Sequence, residues 1–138
     1  MIPRVVLDTN VVVSALLKPR GLEDQVLRLS LAGRLLLWVS PEVLGEYARV
    51  LASPKFKLQP EEVATALRQL EKSGSLYSPV RTLKTSGHEA DNRFYECADA
   101  AQAAFLITGN LKHFKKDYQT TKIVNARKLL DLLASGQI

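Results

Sequence analysis

Short unbroken apolar runs alternate along the chain with longer stretches in which apolar residues recur at helical spacing. The short runs predict buried β-strands at residues 4–7, 35–39, 105–107 and 122–124, with a weaker strand at 76–80. The longer stretches predict helices at residues 11–17, 23–31, 41–52, 60 to about 72, 91–103 and 126–133. Because strands alternate with helices, we predict an α/β fold with a parallel sheet of about five strands.

Capping and turn residues indicate where several of these helices begin and end. Ser40 is expected to cap a helix whose first residue is Pro41, and Asn125 is expected to cap the last helix. The polar residues 81–88 predict a loop. The chain shows no internal repeat, low-complexity tract or linker, so we expect residues 1–138 to form a single domain.

The composition is that of an ordinary globular domain. Hydrophobic residues make up 46% and charged residues 24% of 138 residues, enough to bury a core without disulfides. The longest apolar runs are too short to cross a bilayer, and Cys97 is the single cysteine. We therefore expect a soluble, unexported protein without a membrane partner, in the reducing cytoplasm.

The net charge favours a polyanionic partner without identifying one. The formal charge is +5 at pH 7, which attracts phosphate polymers such as RNA. Many basic domains bind no nucleic acid, so the charge by itself is only suggestive.

Polar side chains follow two of the predicted strands, at the point where each strand ends. Asp8 and Asn10 follow the first strand, and Thr108 and Asn110 follow the fourth. Ligands of open α/β sheets bind beyond the carboxyl ends of the strands, so these side chains are candidates for a shared site. Taken alone, Asp8 is explained equally well as a helix cap.

Two further acids lie on the inner sides of predicted helices. Glu46 shares a side with Val43 and Val50, and Asp91 shares a side with Phe94 at the start of its helix. Each has a simpler explanation when taken alone. Glu46 can reach solvent or pair with a nearby arginine such as Arg49, and a carboxylate is favourable near a helix N-terminus.

The three acids together are harder to explain without a cation. Two ionised carboxylates about 5 Å apart repel by about 3 kcal/mol at an effective dielectric constant near 20, which is large against a total stability of about 5–15 kcal/mol. Protonation, a buried lysine or a divalent cation would offset this repulsion, and no lysine lies in the apolar part of these segments. We therefore favour Mg²⁺ or Mn²⁺ bound by Asp8, Glu46 and Asp91, which would activate water against a phosphodiester.

Three segments carry a resemblance to a known family. They read LDTNVVVSALL at the start, SPEVLGEYARVL in the middle, and DNRFYECADAAQAAFLITGNLKHF near the end. In this order they resemble PIN-domain proteins, and most closely the VapC-like toxin components of toxin-antitoxin pairs. The resemblance spans nearly the whole chain and implies a three-layer α/β/α sandwich and a metal-dependent endoribonuclease. It also implies an antitoxin partner and a homodimer.

The resemblance assigns residues position by position. Asp8, Glu46 and Asp91 match the first three acids of the family, and these are the expected catalytic and metal-binding residues. The fourth acidic position is occupied by Asn110, which departs from the family pattern. An amide oxygen still binds a metal but adds no charge, so we expect one tightly held ion and keep Asn110 as a metal ligand. Asp99 is expected to be solvated.

Two groups of residues are expected to contact the substrate. The first consists of polar residues beside the acids that would orient the carboxylates or a phosphate, although turn and cap roles explain them equally well. The second is a basic loop with an aromatic ring, Phe114, for base stacking, for which a solvated turn is the simpler explanation. The first group is Thr9, Asn10, Ser14 and Thr108, and the second contains Lys112, Lys115 and Lys116.

The remaining residues of chemical interest are expected to have structural roles. His88 and His113 lack metal-ligand spacing and are expected at the surface. Trp38 and Cys97 lie in apolar segments and are expected to pack in the core.

Two other functions remain as alternatives. A catalytically weak RNA-binding or partner-binding module is supported by Asn110 and by the short basic loop. A phosphotransfer enzyme or receiver domain also uses an aspartate after its first strand. Asn10 stands where haloacid-type phosphatases need a second aspartate, and the acidic pair of receiver domains is missing, so this alternative is disfavoured.

Overall fold

The computed structural model describes residues 2–76, 89–114 and 117–138, with residues 89 and 90 described by their backbone alone. Within these residues it contains five strands: β1 (Arg4–Leu7), β2 (Leu36–Val39), β3 (Ser75–Leu76), β4 (Phe105–Ile107) and β5 (Lys122–Val124). It contains six α-helices: α1 (Thr9–Leu17), α2 (Leu22–Leu31), α3 (Pro41–Leu51), α4 (Pro60–Ser73), α5 (Glu89–Ala101) and α6 (Ala126–Ala134). A short 3₁₀ turn covers Pro54–Phe56.

The strands form one parallel sheet in the order β3-β2-β1-β4-β5. In the register of the central strands, Val5 lies between Leu37 of β2 and Phe105 of β4. The sheet and the helices that flank it confirm the predicted three-layer α/β/α sandwich. Most of the weak strand expected at 76–80 and the whole loop expected at 81–88 lie outside the described residues.

Helix α1 begins two residues earlier than the hydrophobic pattern predicts. Asp8 has extended backbone angles (φ −64°, ψ 149°) and occupies the N-cap position, so the helix starts at Thr9, directly after the strand. Helix α5 also begins early, at Glu89, so that Asp91 lies in its first turn. In the described part of the chain, no helix is long and apolar enough to cross a membrane.

The core is densest around the central strand. Val5, Val6 and Leu7 of β1 are completely buried, as expected for a strand covered by helices on both faces. Helix α5 contacts β1, β2 and β4, and Cys97 and Ala98 on this helix are also completely buried. Each fully buried valine or leucine side chain contributes about 1.5–3 kcal/mol, so this layer holds the site's framework in place.

The predicted capping residues are confirmed. The Ser40 side chain accepts a hydrogen bond from the backbone N–H of Val43 at 3.1 Å, and Pro41 is the first residue of α3. The Asn125 side chain accepts a hydrogen bond from the backbone N–H of Lys128 at 2.8 Å and caps α6. These caps define the start of each helix at the carboxyl edge of the sheet.

Trp38 departs in part from its expected place in the core. Its side chain is half-buried, and the guanidinium carbon of Arg4 lies 5.9 Å from the centroid of the indole ring. This arrangement is typical of a cation–π contact at the edge of a core. Cys97, by contrast, is buried as predicted.

A buried tyrosine joins α3 to the end of β1. The Tyr47 hydroxyl donates a hydrogen bond to the backbone carbonyl of Leu7, and both side chains are completely buried. Burial raises the pKa of Tyr47 well above its usual value, so the hydroxyl remains a neutral donor. Because Tyr47 follows Glu46 and Leu7 precedes Asp8, this bond sets the position of one acid relative to the other.

Replacing Tyr47 by phenylalanine should lower the free energy of unfolding by about 1–3 kcal/mol, because the variant leaves a buried carbonyl without its partner. Urea denaturation measures this difference. The control is Ser135→Ala, which removes an exposed hydroxyl that also donates to a backbone carbonyl, that of Leu132, and should cost less. Equal losses in the two variants would show that the Leu7 carbonyl does not depend on Tyr47.

Candidate active site

Asp8 is the buried acid at the end of the central strand. Its backbone N–H donates to the carbonyl of Ile107 at 2.8 Å, which extends the pairing of β1 with β4 by one residue. Its carboxylate Oδ2 accepts a hydrogen bond from Thr108 Oγ1 at 2.7 Å, and only 6% of the residue is exposed. The carboxylate makes no capping hydrogen bond to α1, so capping does not explain this side chain.

The residues after β4 hold this edge of the sheet together. Thr108 is completely buried, and its Oγ1 also accepts a hydrogen bond from the backbone N–H of Asn110 at 3.0 Å. Asn10 Oδ1 accepts from the backbone N–H of Gly109 at 3.0 Å. Both side chains therefore connect the end of β1 to the segment after β4, in addition to any contact with substrate.

The electrostatics of Asp8 reveal a concentration of negative charge. Its pKa is raised to about 6, mainly by burial, although the hydrogen bond from Thr108 opposes this effect. The charges of Asp91 and, more weakly, Glu46 raise it further. The structure therefore brings Asp91 and Glu46 within electrostatic reach of Asp8.

Glu46 forms the ion pair with Arg49 that the sequence analysis gave as its simpler explanation. Its carboxylate lies against the guanidinium of Arg49, with Oε1 2.6 Å from Nη2 and Oε2 3.3 Å from Nε. The Glu46 side chain is 21% exposed and that of Arg49 is 69% exposed. Glu46 thus belongs both to the acidic group and to a surface ion pair.

Asp91 has a neighbour that the sequence did not reveal. His113 Nδ1 lies 3.5 Å from Asp91 Oδ2, and the two side chains are 43% and 14% exposed. His113 is a surface residue as predicted, but it contacts one of the proposed catalytic acids. No motif signals this contact, because the folded loop after β4 creates it.

The basic loop differs from its predicted form at the aromatic position. Phe114 is 2% exposed and packs against Phe94 and Tyr95, with ring centroids 6.3 Å and 5.4 Å away. The prediction that this ring stacks on a base is therefore wrong, because the aromatic cluster offers it a buried site. Lys112 is exposed. Lys115 and Lys116 lie outside the described residues.

Three further polar residues named in the sequence analysis, Thr9, Ser14 and Asp99, differ in burial and in hydrogen bonding. Thr9 is buried at the start of α1, where its backbone N–H lowers the pKa of Asp8, and Ser14 is half-buried on α1. Asp99 is half-buried and accepts a hydrogen bond from the Tyr118 hydroxyl at 3.1 Å, so the expectation of a solvated side chain is wrong.

Two buried acids were missed altogether, Glu96 and Asp24, which is 8% exposed. Glu96 is 6% exposed, and its Oε2 lies 2.8 Å from Nη2 of Arg93. The sequence signal for the burial of Glu96 was its position on α5 next to Cys97 and Ala98, which are core residues.

Comparison with known protein families decides the class of this chain. The family model described as the PIN domain matches residues 4–112. The chain belongs to the PIN domain family. The matched range contains Asp8, Glu46, Asp91 and Asn110, whereas β5 and α6 follow it and complete the sheet and the helical layers of this PIN domain.

The similar proteins include one relative in sequence and one neighbour in structure. An uncharacterised protein of Methanocaldococcus jannaschii is 28% identical over 110 residues, covering 78% of this chain and 70% of the relative. A chain in the crystal structure of VapBC2 from Rickettsia felis, bound to a DNA fragment from their promoter, superposes with a TM-score of 0.61. That match covers 88% of this chain and 98% of the other at 21% identity, and it shows that the two chains share a fold.

The side chains of this PIN domain fit a divalent cation in their chemistry. Among the residues whose positions are described, no group of three or more histidine, cysteine, aspartate or glutamate side chains is arranged to hold a metal. Mg²⁺ does not require such a cage, because it keeps several waters and commonly takes one or two carboxylates together with substrate phosphates. The oxygens of Asp8, Asp91 and Asn110 are of the chemical type that Mg²⁺ takes, and their joint role in a cation site is a proposal.

The buried charge of Asp8 predicts a stability that falls with pH in the metal-free protein. The folded protein keeps the Asp8 proton up to about pH 6, whereas the unfolded chain loses it near about pH 4. Ionisation therefore destabilises the fold between these pH values, by on the order of 2–3 kcal/mol. Asp8→Asn should raise the free energy of unfolding at pH 7, and the difference should disappear below about pH 4.

Urea denaturation in EDTA at both pH values measures this effect, and Asp24 supplies a control of opposite sign. The backbone N–H of Arg20 holds the pKa of Asp24 below its usual value, and the Arg28 side chain adds to the effect. This stabilisation is present at neutral pH and is lost as the pH falls through the folded-state pKa, so Asp24→Asn should destabilise the protein at pH 7. Destabilisation by Asp8→Asn at pH 7 would contradict the electrostatic analysis.

Proposed function

We propose that this PIN domain is a Mg²⁺- or Mn²⁺-dependent endoribonuclease in which Asp8, Glu46 and Asp91 carry the reaction. The observation that supports this most directly is the buried Asp8 carboxylate, whose pKa is raised by burial and by the two other acids. No lysine or arginine among the described residues forms an ion pair with Asp8. A divalent cation is the partner that such a carboxylate lacks, and it would supply positive charge against a phosphodiester and activate water.

Each residue has a distinct part in this proposal. Thr108 orients the Asp8 carboxylate through its hydroxyl, so that one oxygen is fixed and the other is left for a cation. Asp91 would complete the cation site from α5, and Glu46 would join it from α3. Asn110 would contribute a neutral oxygen, so that one tightly held ion is favoured over two.

The substrate class follows from charge and from the family. RNA suits the net charge of +5, and the exposed Lys112 lies two residues after Asn110, where a phosphate would approach. We extend this role to Lys115 and Lys116 from the sequence alone. The polar residues beside the acids would assist substrate binding mainly by holding the acids and the backbone in place. They are Thr9, Asn10, Ser14 and Thr108.

The proposed biological role is that of a toxin in a toxin-antitoxin pair. The Rickettsia felis chain of the same fold comes from the crystal structure of VapBC2, which supports a protein partner for this chain as well. An antitoxin segment carrying basic residues would complement the acidic edge formed by Asp8, Glu46 and Asp91. We also propose a homodimer, and a reducing cytoplasm that suits the single buried cysteine, Cys97.

The test of function is cleavage of a mixed single-stranded RNA pool by the purified protein in Mg²⁺, in Mn²⁺ and in EDTA. We expect cutting that requires metal and falls at least about 100-fold in Asp8→Asn, Glu46→Gln and Asp91→Asn, because a bound cation contributes several kcal/mol and each 1.36 kcal/mol is tenfold. Asp131→Asn, which changes an exposed carboxylate on α6, is the control and should remain active.

The outcomes separate the two functions under consideration. Metal-dependent cutting that persists in all three acid variants would show that these residues are not the site. RNA binding without cutting under every condition would favour the catalytically weak binding module.

Asn110 gives a second test of the cation site. Asn110→Asp adds a negative charge beside the proposed ion and should tighten Mn²⁺ binding by up to about tenfold. Isothermal titration of the variant and the wild type with Mn²⁺, without RNA, measures the change. Weaker binding in the variant would mean that Asn110 does not face the ion.

A further inference from the structure

The ion pair between Glu46 and Arg49 occupies an acid that the proposed reaction needs. Both nitrogens of the contact, Nη2 and Nε of Arg49, lie against the two carboxylate oxygens, at 2.6 Å and 3.3 Å. This two-point geometry is the strong form of an arginine–carboxylate pair. While it persists, the two oxygens of Glu46 are engaged by the guanidinium.

The packing of α3 explains why the pair lies at the boundary between the site and solvent. Tyr47 is completely buried and bonded to the Leu7 carbonyl, which fixes the rotation of the helix. Glu46, beside it, is mostly buried, whereas Arg49 is 69% exposed. The guanidinium is therefore largely open to solvent while it contacts an acid of the proposed site.

The pair neutralises Glu46 but not the acid buried beside it. Glu46 still raises the pKa of Asp8, and among the described residues no lysine or arginine is a cause of that shift. Arg49 thus pairs with Glu46, whereas the proposed cation site is formed by Asp8 and Asp91. A divalent cation bound to those two carboxylates would attract Glu46 more strongly than a singly charged, exposed guanidinium does.

We propose that Arg49 is an exchangeable counter-ion: it holds Glu46 while no divalent cation is bound, and it is released to an RNA phosphate when the cation takes Glu46. A guanidinium binds carboxylate and phosphate with the same two-point geometry, so one side chain serves both partners in turn. The first half of this inference concerns metal alone, and the second half rests on the proposed ribonuclease function.

The first half predicts competition between Arg49 and the metal for Glu46. In Mn²⁺ titrations without RNA, Arg49→Ala should tighten binding by about two- to fivefold, the range that the strength of an exposed ion pair allows. Arg49→Lys keeps the charge but loses the two-point contact, and it should give a smaller gain. Glu46→Gln should abolish the effect of Arg49→Ala, because the two residues are coupled only if they compete.

The chain offers a matched control in a second arginine pair. Arg28 Nε lies 2.8 Å from Asp24 Oδ2 on α2, and the Arg28 side chain is 71% exposed. Arg28→Ala removes the same charge from the protein and should leave Mn²⁺ affinity nearly unchanged. The counter-ion role is excluded if Arg49→Ala matches Arg28→Ala, or if its effect survives in the Glu46→Gln background.

The second half predicts a change in how cleavage responds to salt. Arg49→Ala should raise KM more than it lowers kcat, and it should reduce the slope of log KM against log salt concentration by about 0.7, one single-strand phosphate contact. Arg49→Lys and Arg28→Ala should keep the wild-type slope. An unchanged slope in Arg49→Ala would show that the arginine does not reach a phosphate.

The two experiments fail independently. If the wild-type protein cuts no RNA at all, the ribonuclease function is wrong, but the Mn²⁺ titrations still decide whether Arg49 competes for Glu46. If cleavage proceeds and the titrations show no coupling between Arg49 and Glu46, the function stands and this inference is wrong.

Discussion

The burial of the Asp8 carboxylate at the end of the central strand is the constraint on which the rest of the site depends. A buried ionised group is unfavourable unless hydrogen bonds or an opposite charge compensate it. The fold supplies the Thr108 hydroxyl at 2.7 Å, from the residue after β4, a strand that lies beside β1 in the sheet but far along the chain. That contact requires β1 and β4 to be paired in register, so the sheet's topology is a precondition of the chemistry.

Charge is distributed unevenly between the site and the whole molecule. The protein carries +5 overall, yet Asp91 and Glu46 add negative charge around the buried Asp8, and Arg49 pairs with Glu46. Under the proposed function, a polyanion would be attracted to the surface as a whole and repelled by the site itself until a divalent cation reversed the local sign. Metal binding and substrate binding are therefore expected to support each other.

The segment after β4 serves the core and the site at once. Phe114 is anchored among the aromatic rings of α5, and this anchor places His113 against Asp91 and leaves Lys112 at the surface. An aromatic residue in a basic loop resembles a stacking platform in sequence. In the folded protein its burial instead fixes the loop to the helix that carries Asp91.

The sequence by itself determined the alternation of strands and helices and the positions of most strands, because apolar periodicity is a local signal that does not require a partner. The three layers were implied by the family resemblance, and the three acids as a catalytic group stay a prediction. The sequence also contained both explanations of Glu46 without a means of choosing, and it gave no sign of the contact between His113 and Asp91. Only the tertiary structure decided that Phe114 is core, that Asp99 is bonded to Tyr118, and that the Asp8 carboxylate is bonded to Thr108 and makes no capping hydrogen bond. These outcomes depend on which surfaces meet when helices pack on the sheet, and such long-range contacts leave no periodic trace in the chain.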